Sequence, residues 1–452
     1  MSEKLRQFIL FSGDIILLHV ALFFALCLRY RALVDPSIWQ EHWFSFSSIF
    51  VIWVVVFYIA GFYTLTNIRN DLKFYVSASQ ILGINILLAI TFFYLQPGVL
   101  TPKTILLLTS LIFFGLFVIW RRLAHRYISS LALKRRVLII GNNISVQELT
   151  KLLDLNPQLG YEIAAILSHE PRNEIGNVPD YRNPQELEII VKKHHINTIV
   201  MDNRSRESKA LIDNLFQYLP RRIEFISLSR FYENITKRIS LETIDQFWFL
   251  ENLQEGSKRL YDLGKRAVDI VAALAAGIIS LPLLPFICLI IVITQNRPIF
   301  FSQERLGKNG RPFRAIKLRT MVRDAEKNGP QWASRNDPRV TAFGGFLRKT
   351  RLDEIPQLWN IVRGEMSFVG PRPERPEFVA DLEKTIPFYR ERLLVKPGLT
   401  GWAQINFPYG ASTRDAVIKL QYDLYYVKNR SLILDLAIIL RTIKTVLSAG
   451  GR

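Results

Sequence analysis

Four apolar runs open the chain, at roughly residues 8–28, 43–63, 76–95 and 104–120. Each approaches the ~20 residues that a helix needs to cross ~30 Å of hydrocarbon, and aromatic residues crowd their ends as interfacial belts do. They predict a four-helix transmembrane bundle over residues 1–125. Asp14 is the ionisable residue that falls mid-span, where it would have to face the bundle interior. From 134 to 250 the pattern changes. Short β-rich runs (RVLIIG, EIAAILS, NTIVMD and RIEFISL) alternate with helical stretches such as VQELTKLLDLN. That is the rhythm of a parallel α/β sheet.

The first of these strands ends at Gly141, where a Rossmann fingerprint would continue G-x-G-x-x-G. The sequence instead reads GNNISV, with Asn143 and Val146 at the later glycine positions. Side chains there hinder close approach of a pyrophosphate, so a structural or regulatory use is expected over dinucleotide catalysis.

A further apolar stretch covers about 267–294, AVDIVAALAAGIISLPLLPFICLIIVIT. Pro282 and Pro285 interrupt it, each removing a helical hydrogen bond and forcing a bend. Lys258, Arg259, Lys265 and Arg266 precede it, and Arg297, Arg305 and Lys308 follow. A crossing would carry a basic domain outward, against the positive-inside tendency, so a re-entrant helix that enters and leaves by one face is expected. The end of the chain, SLILDLAIILRTIKTVLSAG, is apolar on one side and reads as an amphipathic helix, either at the interface or against the domain.

Charge sharpens this picture. The 452 residues carry a formal net charge of +19. From 256 onward there are 32 Lys and Arg against 17 Asp and Glu. A basic, apolar chain points to anionic lipid or phosphorylated ligands, and the membrane segments argue against nucleic acid as partner. Lys4 and Arg6, then Arg69 and Lys73, then the cluster Arg121, Arg122, Arg126, Lys134, Arg135 and Arg136 put both ends of the bundle on the cytoplasmic side. The MSEKLRQ start carries no cleavage site and reads as part of a retained anchor. Cys27 and Cys288 both lie in apolar runs, which excludes a disulfide framework or a cysteine metal site.

The chemistry concentrates in four blocks: PIFFSQERLGKNGRPFRAIKLRTM, NDPRVTAFGGFLRKTRLDEIPQLWN, RGEMSFVGPRPERPEF and KPGLTGWAQIN. Read locally, Asp353 and Glu354 are two adjacent carboxylates among cations, at a position where a helix start favours acids by ~0.3–1 kcal/mol. The bland reading of the surrounding arginines is attraction to a membrane surface.

Together these blocks resemble the polyprenyl-phosphate glycosyl-1-phosphate transferases, the monotopic family that starts bacterial glycan assembly on a lipid carrier. The three-part layout resembles its large, exopolysaccharide-type members, and residues 134–250 resemble their CoA-binding-like domain. The fold class this implies is membrane α plus α/β: a four-helix transmembrane bundle, a Rossmann-like parallel α/β domain, and an α-rich monotopic catalytic domain over 256–452 with a proline-broken re-entrant helix. The resemblance implies that Asp353 is a nucleophile attacking the β-phosphate of a UDP-sugar, that UMP leaves, and that undecaprenyl phosphate accepts the sugar phosphate. It implies Mg²⁺ held by Asp353, with Glu354 as the second carboxylate in an acid–base or positioning role. Lys317, Arg319 and Arg348 match phosphate-facing positions. Pro371, Arg372 and Pro373 match the PRP motif expected near the nucleotide, and Gln357 and Asn360 would brace the dyad. Many members carry Ser-Pro at the helix break; here Leu281-Pro282 stands there, with Ser280 one place earlier. Further expectations are a bacterial inner-membrane location, a catalytic domain facing the cytoplasm, and a homodimer through the middle domain. The hexose stays open, with glucose or galactose favoured. A nucleotide-sensing membrane scaffold is the alternative function. A UDP-sugar dehydratase or epimerase is disfavoured by the broken glycine motif.

Overall fold

The computed structural model describes residues 3–63, 72–95, 103–128, 134–141, 144–168, 178–203, 205, 208–221, 223–253, 258–295, 298–322, 325, 337–407, 410 and 412–447. Arg69, Asn143 and Arg297 lie outside them. The chain divides into two compact units, Met1–Leu228 and Ser229–Arg452.

The first unit begins with α1 (Glu3–Tyr30), α2 (Pro36–Ala60), α3 (Leu72–Leu95) and α4 (Lys103–Ile128). All four are long and apolar enough to cross a membrane. Helix α2 starts with proline in its first turn and stops at Gly61, whose φ of 83° lets its N–H reach back to Phe57 and Tyr58. Aromatic rings fill the interior: Trp53, Phe57, Phe113 and Phe117 are all buried. Asp14 faces inward as expected, and its partner is Arg121, 2.5 Å away with both side chains fully buried. Arg121 also donates to the Phe62 carbonyl at 2.9 Å and lies over the Phe117 ring. The sequence counts Arg121 among the cytoplasmic cations, but α4 runs on past the apolar stretch and turns this one into the bundle. Removing one member of such a pair costs about 3–5 kcal/mol, because the other charge is left buried alone. Arg121→Met is therefore expected to lower the unfolding temperature of the bundle more than the joint Asp14→Leu/Arg121→Met change, as read by thermal scanning in detergent.

After the bundle, β1 (Arg135–Ile140), β2 (Tyr161–Leu167), β3 (Asp180–Tyr181), β4 (Thr198–Met201) and β5 (Glu224–Ser227) form one parallel sheet in the order β3-β2-β1-β4-β5. Helices α5 (Ile144–Leu155), α6 (Leu187–Lys193) and α7 (Lys209–Phe216) are interleaved with the strands. At the end of β1, Gly141 has φ 125°, and an added Cβ would sit 2.2 Å from the Asp202 carboxylate. Val146 on α5 is fully buried. An acid against the glycine and a packed valine both disfavour a pyrophosphate at this strand end. Arg6 is buried and donates to the Gln158 carbonyl at 3.0 Å, filling the space a side chain at Gly160 would need.

The second unit starts with α8 (Leu228–Thr236) and α9 (Gln246–Asn252), followed by α10 (Arg259–Ser280) and α11 (Leu284–Gln295). The last two meet at a 62° bend across Leu281–Leu283. The Ser280 hydroxyl donates to the Gly277 carbonyl at 3.0 Å, satisfying an acceptor at the helix end from the neighbouring position. The outer faces of this pair are apolar, with Ile278, Ile279, Leu281, Phe286 and Ile293 exposed. The inner face is anchored by charge: Arg266 donates to the Ile361 and Val362 carbonyls at 2.6 and 2.7 Å, and Asp269 accepts from the Phe368 N–H.

Strands β6 (Phe300–Leu306) and β7 (Pro312–Leu318) make an antiparallel hairpin. Then come α12 (Ala342–Thr350), α13 (Gln357–Arg363), β8 (Ser367–Val369), α14 (Pro376–Thr385), β9 (Gly398–Thr400), α15 (Trp402–Asn406), α16 (Thr413–Asn429) and α17 (Leu432–Leu447), with β8 and β9 paired in parallel. Helix α17 docks by one face. Its buried Asp435 accepts from Tyr261, Lys265 and Tyr426, each at 2.8 Å, while Ile433 and Leu436 point outward.

Candidate functional site

Helix α12 ends at Arg351, which adopts the left-handed conformation at φ 61°. A non-glycine residue there is sterically costly, and such residues concentrate at functional sites. The reversal starts a single 3₁₀ turn, Leu352–Glu354, before Pro356 leads into α13. Asp353 and Glu354 thus sit on a tight corner between two helices, and both are buried.

Their surroundings separate them. One oxygen of Glu354, Oε1, accepts from Lys317 Nζ at 2.9 Å and from Arg372 Nη2 at 3.0 Å, with Arg351 Nη1 at 3.6 Å. Lys317 comes from β7, Arg351 from the corner and Arg372 from the loop after β8. Burial by itself would raise the Glu354 carboxyl, but the charges of Lys317, Arg372 and Arg351 together hold it well below the usual carboxylate range. Asp353 is the reverse case. Burial raises it, Lys317 opposes, and the neighbouring Glu354 charge adds to the rise. Its Oδ1 is buried with no hydrogen-bond partner. One acid of the pair is saturated with cations and the other keeps a free oxygen.

Asp353 lines a cavity of about 450 Å³. The volume lies within the ~300–1,000 Å³ usual for small-molecule sites. Lys317, Arg319, Arg348, Arg351, Asp353, Glu354 and Arg372 all line it. Ten lysines and arginines stand on the lining against four acids, a balance suited to a polyanionic ligand. Arg348 is oriented by its Nε–H bond to the Thr320 hydroxyl at 2.8 Å, and Arg319 holds a buried Nη1 without a partner. Pro371 and Pro373 flank Arg372 without lining the cavity. Asn360 is buried and braces β7: it donates to the Arg314 carbonyl and accepts from the Ile316 N–H, one residue from Lys317. Gln357 is buried on the same helix.

Sequence reasoning singled out neither Arg351 as an individual residue nor Arg392 and Asp423, which form a buried ion pair at 2.7 Å on the cavity wall. A signal for Asp423 did exist. It falls on the inward stripe of α16 with Ala416, Leu420, Leu424 and Val427, and an acid on an apolar stripe needs a buried partner.

A divalent ion can be tested against this donor set. Among the described residues no group of three His, Cys, Asp or Glu side chains gathers to hold a metal. The free Oδ1 of Asp353 offers one oxygen, and a phosphorylated ligand would bring others. One or two carboxylates plus substrate phosphates is the usual set for Mg²⁺, so the residues fit.

The family described as bacterial sugar transferase matches residues 260–449, the segment that holds this cavity. Over 340 residues the chain is 31% identical to the UDP-galactose-lipid carrier transferase of Erwinia amylovora, covering 70% of this chain and 69% of that one. The chain belongs to the bacterial sugar transferase family. Two other members align in part. The UDP-N-acetylgalactosamine-undecaprenyl-phosphate N-acetylgalactosaminephosphotransferase of Aeromonas hydrophila is 40% identical over 48% of this chain and 51% of its own. The UDP-glucose:undecaprenyl-phosphate glucose-1-phosphate transferase of Xanthomonas campestris pv. campestris is 32% identical over 69% and 66%. The chain therefore spans between half and two thirds of the length of those two relatives. The names of the three relatives carry three different sugars, so membership alone leaves the sugar open.

Proposed function

We propose that this sugar transferase moves a hexose-1-phosphate from a UDP-sugar to undecaprenyl phosphate and releases UMP, by way of an acyl phosphate on Asp353. The observation that carries the reading is the split within the dyad: Glu354 gathers three cations on one oxygen, while Asp353, which lines the same cavity, keeps its buried Oδ1 unbonded. A carboxylate with a free lone pair beside cations is competent as a nucleophile toward phosphorus.

In the proposed sequence an Asp353 oxygen attacks the β-phosphorus. The bond from that phosphorus to the α–β bridging oxygen breaks, and UMP leaves with the electron pair. Lys317, Arg351 and Arg372 stand where charge builds on the diphosphate, and Arg348 and Arg319 extend the cationic wall. A phosphate oxygen of undecaprenyl phosphate then attacks the same phosphorus, the acyl–phosphate bond breaks, and the Asp353 carboxylate returns. Glu354, kept ionised by its three partners, has no proton to give, so its role is to order the cations. When bound, Mg²⁺ supplies charge neutralisation at the diphosphate, with Asp353 as its protein ligand.

The bent pair α10–α11 is proposed as the re-entrant helix, supported by the 62° bend, the apolar outer faces and the cationic flanks. It would hold residues 256–452 on the cytoplasmic face of the bacterial inner membrane. Residues 134–250 are proposed as a Rossmann-like domain that has lost dinucleotide use and pairs two copies of the chain; the strand order supports the first part.

The test supplies the purified full chain with undecaprenyl phosphate, Mg²⁺ and, in turn, UDP-glucose, UDP-galactose and UDP-N-acetylhexosamines, and measures UMP. Release with one of them is expected. Binding of UDP-sugars with no UMP from any would favour the scaffold reading and remove this one.

A further inference from the structure

Four consecutive backbone carbonyls around Arg372 are captured by groups from separate elements. The Gly398 N–H donates to Pro371 at 2.8 Å and the Leu306 N–H donates to Glu374 at 3.0 Å. Arg392 Nη2 donates to the Arg372 carbonyl at 3.1 Å, and Arg305 Nη1 donates to that of Pro373 at 3.2 Å. A loop segment ordinarily leaves such groups to water. Here each carbonyl is fixed, two of them by charged side chains.

Arg392 is buried in the 3₁₀ turn Tyr389–Leu394. Its nitrogens are all in use: Nε and Nη2 on Asp423 Oδ2 at 3.0 and 2.7 Å, Nη1 on the Tyr389 hydroxyl at 3.0 Å, and Nη2 also on the Arg372 carbonyl. One Nη1 hydrogen is left over, with Glu374 Oε1 3.9 Å from that nitrogen, so the residue lines the cavity with its donors largely committed. The ion pair is 5% and 2% exposed, and a buried pair of this kind seldom stabilises a fold better than apolar residues of the same volume. What an apolar pair could not do is donate to the carbonyl of Arg372. Asp423 orients the guanidinium, the guanidinium holds the carbonyl, and the side chain on that same residue reaches Glu354.

We infer that Arg392 and Asp423 are a positioning pair that sets the backbone of Arg372, so that its guanidinium meets Glu354 and the diphosphate in register; this rests on the proposed reaction. Arg305 holds the next carbonyl in the same way.

The experiment is a double-mutant cycle on the full chain in detergent, read by UDP-sugar turnover and by calorimetric binding of UDP. Arg392→Lys keeps the charge and loses the planar fork. It is expected to lower kcat/KM by about 10–100-fold, as small misplacements of a binding group do. Its division between KM and kcat should match that of Arg372→Lys. In an Arg372→Ala background the same change should cost less than about twofold, since the group it positions is gone. UDP affinity should follow the same cycle. Should Arg392→Lys fail to fold, Asp423→Asn, which keeps the shape, runs through the same cycle. Losses that multiply independently, or a fall in kcat with KM unmoved where Arg372→Lys moves KM, would overturn the pair, because a merely structural role reduces the active fraction alone. Coupled UDP binding in a protein that turns over no UDP-sugar would sink the reaction and leave the pair. Normal turnover with uncoupled losses would do the opposite, and a wild type that neither binds UDP nor turns over would end both.

Discussion

Asp353→Asn is expected to cut turnover by at least about four orders of magnitude, the scale on which removal of a reacting group acts, and to raise the unfolding temperature as it does so. The second half follows from the sign of its ionisation. Burial holds the Asp353 carboxyl above its ordinary value of 3.8, so in the folded protein its charged form is disfavoured and ionisation at neutral pH costs stability. An uncharged isostere recovers that cost. A gain of ~1 kcal/mol corresponds to roughly 2–4 °C for a unit of this size. Thermal scanning of the two proteins side by side checks it, and an Asn variant that is inactive and less stable would mean that Asp353 is held by its neighbours rather than strained by them.

Glu354→Gln should behave in the opposite way on stability and differently on rate. This carboxyl is held well below its ordinary value of 4.5, so its contribution to stability is present above that pH and fades as pH falls through the folded value. A glutamine removes the charge that Lys317, Arg351 and Arg372 share, and leaves three cations facing one another. A loss of roughly 2–5 kcal/mol is expected, in line with breaking other buried pairs. Turnover should fall by about 10²–10³-fold, the scale for removing one preorganised electrostatic group. The acid limb of the pH–rate profile should move to lower pH, since Asp353 sets that limb and loses the neighbouring charge that helps to raise it. A glutamine variant that loses the limb altogether would return Glu354 to proton transfer.

Much of this was legible in the chain because burial follows period. The four spans emerge from runs of the length a bilayer requires, and the strands β1, β2, β4 and β5 from short β-branched stretches between helical ones. The strand β3 escaped because two residues carry no period. The β6–β7 hairpin escaped for a different reason. Its turn places Asn309 and Gly310 at φ 58° and 73°, the left-handed pair that an Asn-Gly step favours, and that signal lay inside a stretch read only for its cations. Arg121 was misread as a flanking charge because the sequence shows where apolar residues stop and not where a helix stops. At the site, the motifs brought together Lys317, Arg319, Arg348, Asp353, Glu354 and Arg372, and the fold places all six on one cavity. The tasks of Arg351 and Arg392 were beyond reach. The first depends on a backbone reversal, and the second on a carbonyl 20 residues away.

The proposed reaction turns on a covalent bond between a sugar phosphate and Asp353. The most direct measurement incubates the full chain with its UDP-sugar and Mg²⁺ in the absence of undecaprenyl phosphate, quenches within seconds, and maps the added mass by peptide mass spectrometry. A burst of UMP no larger than the enzyme concentration, with one hexose phosphate on Asp353 that disappears when undecaprenyl phosphate is added, is the predicted result. UMP formed only when the acceptor is present, with no adduct on Asp353, would contradict it.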